Sequence, residues 1–277
     1  MVAPGGGARE DHSLGGSQNG KGTGLFDDLR GAKVLITGAS TGIGAAAAAA
    51  FGCEGAKVAI HFCRSGKAAE RVAEEVRQAG GEAELVQGDL ADREQPRAVL
   101  EKAVEALGGL NVLVNNAGAI VRRVPFLEVD DKLIDRVFDL NVRAVVTMTQ
   151  AAIAHLEKQA HPAIINVGSI AGANGGGPGS AMYASSKAFI HNLTRHLAQD
   201  LAGRGIRVNA IAPGVIDTAF HAETPPERME AMRRAVPLGR VGTAEECSGA
   251  ILFFASARAS GYITGQILHI NGGQWMA

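Results

Sequence analysis

The chain has 277 residues, 46% of them apolar, and a formal net charge of −1. That length suits one large α/β domain or two small ones. The near-neutral balance gives no electrostatic case for nucleic acid or an anionic membrane surface, and three cysteines with no CxxC spacing argue against a zinc site or a disulfide framework.

Residues 1–24 are rich in Gly and polar residues with no hydrophobic period, which predicts a flexible tail unable to offset its ordering entropy. They lack the charged start and apolar core of a secretory signal. No apolar run nears the ~20 residues of a membrane span, so the expectation is a soluble, cytoplasmic protein. From residue 33 a repeating pattern sets in. Short apolar strands are predicted at 33–37, 57–62, 84–87, 110–115, 163–167, 206–212 and 266–270. Helices alternate with them at 43–53, 67–79, 95–107, about 130–158, around Tyr183, and at 243–255. Near-continuous apolar strands alternating with helices imply βαβ units. The predicted fold is a single-domain, Rossmann-type, doubly wound α/β fold over residues 25–277, with a seven-stranded parallel sheet and helices on both faces.

The chemistry-bearing residues fall at the strand ends. Thr37-Gly-Ala-Ser-Thr-Gly-Ile-Gly44 joins the first strand to the first helix. Glycines there permit a tight turn and let backbone approach a pyrophosphate, whose charge a helix N-terminus stabilises. The spacing is G-x-x-x-G-x-G, which departs from the G-x-G-x-x-G fingerprint. Asp89 follows the third strand, where it is either an acceptor for an adenine amino group or a solvated turn residue. Asn115-Asn-Ala-Gly118 ends the fourth strand, where an open α/β sheet places ligands. Ser169 lies just past the fifth strand. Asn141 sits in an apolar helical stretch, where a buried amide needs partners. Tyr183 and Lys187 are four residues apart and so share one helix face. A phenol titrates at about 10, and a cation fixed beside it lowers that value, making the tyrosine a usable acid/base. The histidines show no ligand spacing, and nothing calls for a metal.

Taken in order, TGxxxGIG at 37–44, Asp89-Leu90, NNAG at 115–118, Asn141, Ser169, Tyr183-x-x-x-Lys187 and Pro213-Gly214 resemble the classical short-chain dehydrogenase/reductases, in particular the 3-oxoacyl-carrier-protein reductases. Asn271 stands where that family usually has Asp, and Gly168 where it usually has Ser. The resemblance implies a catalytic tetrad of Asn141, Ser169, Tyr183 and Lys187. In it Tyr183 exchanges a proton with the substrate oxygen, Ser169 holds the carbonyl, Lys187 lowers the tyrosine pKa and binds the nicotinamide ribose, and Asn141 anchors a water beside Lys187. It implies a nicotinamide cofactor lying along Gly38, Ser40, Thr41, Gly42, Ile43, Gly44, Arg64, Ser65, Asp89, Leu90, Asn116, Ala117, Gly118, Tyr183, Lys187, Pro213, Gly214, Ile216 and Thr218.

NADP is the expected cofactor, with NAD possible. Phe62 takes the place of the acid that would bind a ribose 2′-OH, and Arg64 suits a 2′-phosphate. Against this, Thr41 stands where many NADPH-using relatives carry Arg or Lys. The segment 215–237, broken by Pro225-Pro226, resembles the family's substrate lid, and 173–180 the opposite wall. Arg122-Arg123 and Arg233-Arg234 read as solvated loop cations, with an anionic substrate or carrier as the alternative. Thr147 and Gln199 occupy the helix-end positions where a carrier-docking relative places basic residues, which weakens carrier docking. The expected function is NAD(P)(H)-dependent hydride transfer between a carbonyl and a secondary alcohol in a homotetramer that acts on a small molecule. The alternatives are 3-oxoacyl-carrier-protein reduction and a non-catalytic dinucleotide sensor.

Overall fold

A computed structural model describes residues 24–222 and 224–276. The predicted tail, Gly24 apart, lies outside the described residues. Seven strands form one sheet: β1 (Lys33–Ile36), β2 (Lys57–Phe62), β3 (Glu82–Gln87), β4 (Val112–Asn115), β5 (Ala163–Val167), β6 (Arg207–Pro213) and β7 (Ile267–Ile270). Their order is β3-β2-β1-β4-β5-β6-β7 and every pairing is parallel. The direction of winding reverses between β1 and β4, so a crevice opens beyond the carboxyl ends of those two strands.

The helical segments are α1 (Gly42–Cys53), α2 (Gly66–Gln78), α3 (Gln95–Leu107), α4 (Asp131–Phe138), α5 (Ala144–Leu156), α6 (Ala171–Asn174), α7 (Ala181–Ala202), α8 (Pro226–Arg234), α9 (Glu245–Ala255) and α10 (Ala257–Ser260). Strand residues feed the two faces alternately. Val34 and Ile36 of β1 join the core of Phe51 from α1, Val72 and Val76 from α2, and Ile251 from α9. Leu35 between them joins the opposite core of Leu100 from α3, Met148 and Leu156 from α5, and Leu201 from α7. The buried residues of α2, Ala69, Val72, Ala73 and Val76, recur at helical spacing and make the stripe that seats it. Phe51 is fully buried, and truncating it to Ala costs about 3–5 kcal/mol by the usual cavity penalty.

Two expectations are corrected. The long helix expected from about 130 to 158 is broken into α4, a π-helical turn over Asp139–Arg143, and α5. A π turn holds one residue more than an α turn, and it carries Asn141 into the interior, fully buried. Pro226, expected to break its segment, opens α8 instead. The first helical residue has no intrahelical use for its N–H, so proline is at home there.

Candidate active site

A cavity of about 1230 Å³ runs along the carboxyl edge of the sheet. Every predicted site residue lines it except Gly44 and Asn141. Gly44 lies beneath the wall, and a Cβ there would sit 2.5 Å from Asn116 Nδ2. Its smallness lets α1 approach the β4 loop, and it makes no surface for a ligand. Asn141 lies behind the wall. Its Nδ2 donates to Ala119 O and its Oδ1 accepts from Ala119 N, both at 2.9 Å. Both ends of the amide are thus engaged by one backbone residue.

Buried polar side chains tie the strand ends together. Thr37 Oγ1 accepts from Asn116 N at 2.9 Å and Ala117 N at 3.0 Å, while Asn116 Nδ2 donates to Thr37 O at 2.8 Å and Gly38 O at 3.0 Å. These bonds hold the β1–α1 turn against the loop after β4. Deeper in, Asn115 Nδ2 donates to Asn166 Oδ1, Asn166 Nδ2 to Thr194 Oγ1, and Thr194 Oγ1 to Ile190 O, linking β4 and β5 to α7. His61, which the motif reading passed over, bridges the turn to β3. Its Nδ1 accepts from Gly38 N at 3.0 Å and its Nε2 faces Gly88 O at 3.1 Å. Burial pushes its pKa down to about 4, so the ring is neutral and Nε2 carries the proton.

Tyr183 and Lys187 stand on one face of α7, with Lys187 Nζ 5.7 Å from the centre of the phenol ring. The Ser169 side chain faces the Tyr183 phenol closely enough to favour its ionised form, while Ser169 Oγ accepts from Ala171 N at 3.1 Å. Lys187 is buried and its Nζ donates to Val167 O at 2.7 Å. Burial lowers its pKa to about 8, which leaves the ammonium protonated at neutral pH. The expected depression of the tyrosine pKa is not what this site shows. Burial pushes Tyr183 up to about 12, and the Ser169 side chain and the Arg123 charge offset only part of that rise. Desolvation of the phenolate outweighs the cations around it.

Gly168 has a physical reason. A Cβ there would collide with the imidazole of His191, whose Nε2 accepts from Ser169 N at 3.4 Å. Burial, followed by the charges of His269, Arg195 and Lys187, lowers His191 to about 4 and keeps Nε2 an acceptor. Asn271 also fits its place. Its Nδ2 donates to Trp275 O at 2.9 Å and its Oδ1 accepts from Gly273 N at 3.0 Å. A carboxylate could not make the first of these bonds.

The other wall comes from 215–237. Phe220 stacks obliquely on Tyr183 with centroids 5.7 Å apart, and Arg228 Nη2 donates to Pro178 O at 3.0 Å across the cavity mouth. Asp89, at the far end, is partly engaged already. Its Oδ1 accepts from Ala91 N and its Oδ2 from Arg136 Nη2.

The residues fit a dinucleotide. Helix α1 opens on the cavity with no side-chain cap and no acid in its first turn, so its first N–H groups are available to a pyrophosphate. A cavity at the switch point of a doubly wound sheet, with an uncapped helix start at one end and a Ser–Tyr–Lys cluster at the other, defines a nicotinamide-dependent oxidoreductase. A family model described as Enoyl-(Acyl carrier protein) reductase matches residues 38–274. The chain is 39% identical over 242 residues to the 3-oxoacyl-[acyl-carrier-protein] reductase FabG of Staphylococcus aureus, covering 87% of this chain and 97% of that one. Among solved structures it is similar to the NADH-dependent reductase A1-R' complexed with NAD (TM-score 0.82, 37% identity, 91% of this chain and 100% of that one). It is also similar to a short chain dehydrogenase from Burkholderia cenocepacia in complex with NADP (TM-score 0.83, 34% identity, 89% and 98%). The chain belongs to the short-chain dehydrogenase/reductase family.

Proposed function

We propose that the chain transfers hydride between a nicotinamide, preferably NADP(H), and a carbonyl or secondary-alcohol carbon, with Tyr183 as general acid and base. The observation that carries this reading is that Ser169, Tyr183 and a buried Lys187, its Nζ 5.7 Å from the phenol ring centre, meet in the cavity onto which α1 opens. A bound nicotinamide dinucleotide supplies or accepts the hydride. Ser169 holds the substrate oxygen beside the phenol. Tyr183, kept protonated at neutral pH by burial, donates its proton to that oxygen in reduction and takes it back in oxidation. Lys187 keeps a positive charge beneath the ring, and Asn141 fixes the Gly118–Ala119 loop that borders it. Oxidation needs the phenolate, so its rate rises with pH through the neutral range, while reduction stays flat.

The preference for NADP rests on Arg64, which lines the cavity just past β2 and forms no hydrogen bond or ion pair among the described residues. Relatives holding NAD and NADP are similar to this chain to nearly the same degree, so likeness does not choose between them. Arg64→Ala lowers the NADPH/NADH ratio of kcat/KM by roughly 10-fold or more if the guanidinium meets a 2′-phosphate. Phe220 on Tyr183 and the α8 residues lining the cavity support 215–237 as its lid. The reading includes a cytoplasmic homotetramer, supported by exposed apolar residues such as Leu268 on the edge strand β7 and Phe189 on α7. Sedimentation tests the assembly. The decisive experiment is Tyr183→Phe, expected to keep dinucleotide binding and lose turnover by roughly 10²–10⁴. Near-normal kcat in that variant overturns the mechanism.

Likeness to FabG favours a second reading, reduction of a 3-oxoacyl group on a carrier protein. Comparing a carrier-linked 3-oxoacyl thioester with free ketones separates the two.

A further inference from the structure

Resting on that reading, we propose that the carbonyl substrate carries a carboxylate, received at the catalytic end of the cavity by Arg123 with Arg228. The charged residues lining the cavity are Arg64, Asp89, Arg123, Arg136, Lys187 and Arg228. Asp89 is the only acid among the described lining residues, and Arg136 holds its carboxylate at 3.1 Å. The whole chain is nearly neutral, so this positive field is concentrated in the cavity, where low-dielectric walls focus it on an anion.

The cations fall into groups by place. Arg64 and Arg136 flank Asp89 at the end served by β2 and β3, where a dinucleotide's phosphates account for positive charge. Lys187 lies under Tyr183. Arg123 and Arg228 remain, beside Tyr183 and the lid, and the cofactor does not account for them.

The other loop arginines are neutralised within the protein. Arg122 pairs with Asp130 at 3.2 Å, and Arg233 and Arg234 share Glu230 at 2.7 and 2.9 Å. Arg123 has no hydrogen-bond or ion-pair partner among the described residues, and Arg228 makes one bond, to Pro178 O. Both residues are half-buried, and burial weighs on the Arg123 guanidinium. Burial first and the Arg228 charge second bear on Arg123, whose own charge is felt by Tyr183 and by His221. Two like charges that feel each other, with Arg123 partly desolvated, gain when an anion joins them. A guanidinium fork matches a carboxylate in a two-bond geometry. His221 adds no charge, because burial and Arg123 keep its pKa low against the pull of Asp217.

The test uses oxo acids and their methyl esters as matched pairs, with NADPH and NADH both supplied. In the wild type, kcat/KM for the acid exceeds that for its ester by roughly 10- to 100-fold. Arg123→Ala collapses that ratio towards one and Arg123→Lys restores part of it. The ratio is the readout because Arg123 also acts on Tyr183, so its loss moves the pH profile of both pair members. Calorimetry of the same pairs against the enzyme with NADP⁺ bound gives an answer independent of turnover: the acid binds, and Arg123→Ala weakens it at least 10-fold. Reduction of some carbonyls with esters or a carrier-linked thioester preferred to acids, or an equal loss on both pair members in Arg123→Ala, overturns the carboxylate proposal alone. Absence of acid binding by calorimetry overturns it as well. Acid binding without reduction of any carbonyl leaves it standing and overturns the hydride-transfer reading.

Discussion

The wall formed by the strand ends is held by buried hydrogen bonds that cross from one element to the next, whereas residues 218–232, between anchored ends at Val215–Asp217 and Val236, meet the opposite wall through a ring contact and one bond to Pro178. The first has a single geometry because displacing it leaves buried donors and acceptors unmet, at about 1–3 kcal/mol each. The second loses little by moving. The proposed cofactor and proton chemistry draws on the fixed wall, and the proposed substrate enclosure on the loose one.

The largest expected way to break the contrast is acid. His61 and His191 both serve the fixed wall, and both titrate near 4 in the folded protein against about 6.5 unfolded. The unfolded chain therefore takes up protons first. Their contribution is intact above about pH 6.5 and is lost as pH falls towards 4, by up to about 3 kcal/mol for each. Denaturant midpoints from pH 7 to 4 check this, and His61→Gln flattens the slope. Thr37→Val is nearly isosteric but strands the Ala117 N–H and leaves Asn116 N only its bond to Val114 O, for a loss of about 1–3 kcal/mol and weaker dinucleotide binding. An unchanged melting temperature would show that the clamp is not needed.

Gly168→Ser drives a Cβ into His191 and costs about 1–3 kcal/mol by overpacking. Pairing it with His191→Ala recovers much of that, and a double-mutant cycle reads the coupling. Smallest is Phe220→Ala on the loose wall. It barely moves the melting temperature and lowers kcat/KM by roughly 2- to 10-fold, the worth of one aromatic contact. A large stability loss there would make the two walls alike.

Much of the fixed wall was legible because its signals are local. Apolar runs such as 33–37 mark strands, the Gly38–Gly44 turn sits at a strand-to-helix junction, and a four-residue spacing puts Tyr183 over Lys187. What the chain did not disclose depends on partners distant in sequence. The π turn at Asn141 answers to the backbone of Ala119. The rise in the Tyr183 pKa comes from burial by several elements at once. Arg122 and Arg123 are indistinguishable as letters, and only folding gives Asp130 to one and the cavity to the other. His191 left one trace, the Gly at 168 where a family pattern has Ser.

The Asn115–Asn166–Thr194 chain reaches α7 within eleven residues of Tyr183, although the helix has 22 residues and extends about 33 Å. It works as an alignment pin past the middle of a long rod, between Tyr183 and the outward end. Strain introduced beyond the pin meets buried hydrogen bonds before it reaches the phenol, so the exposed positions His196, Gln199 and Asp200 can be redesigned for surface attachment without re-aiming Tyr183.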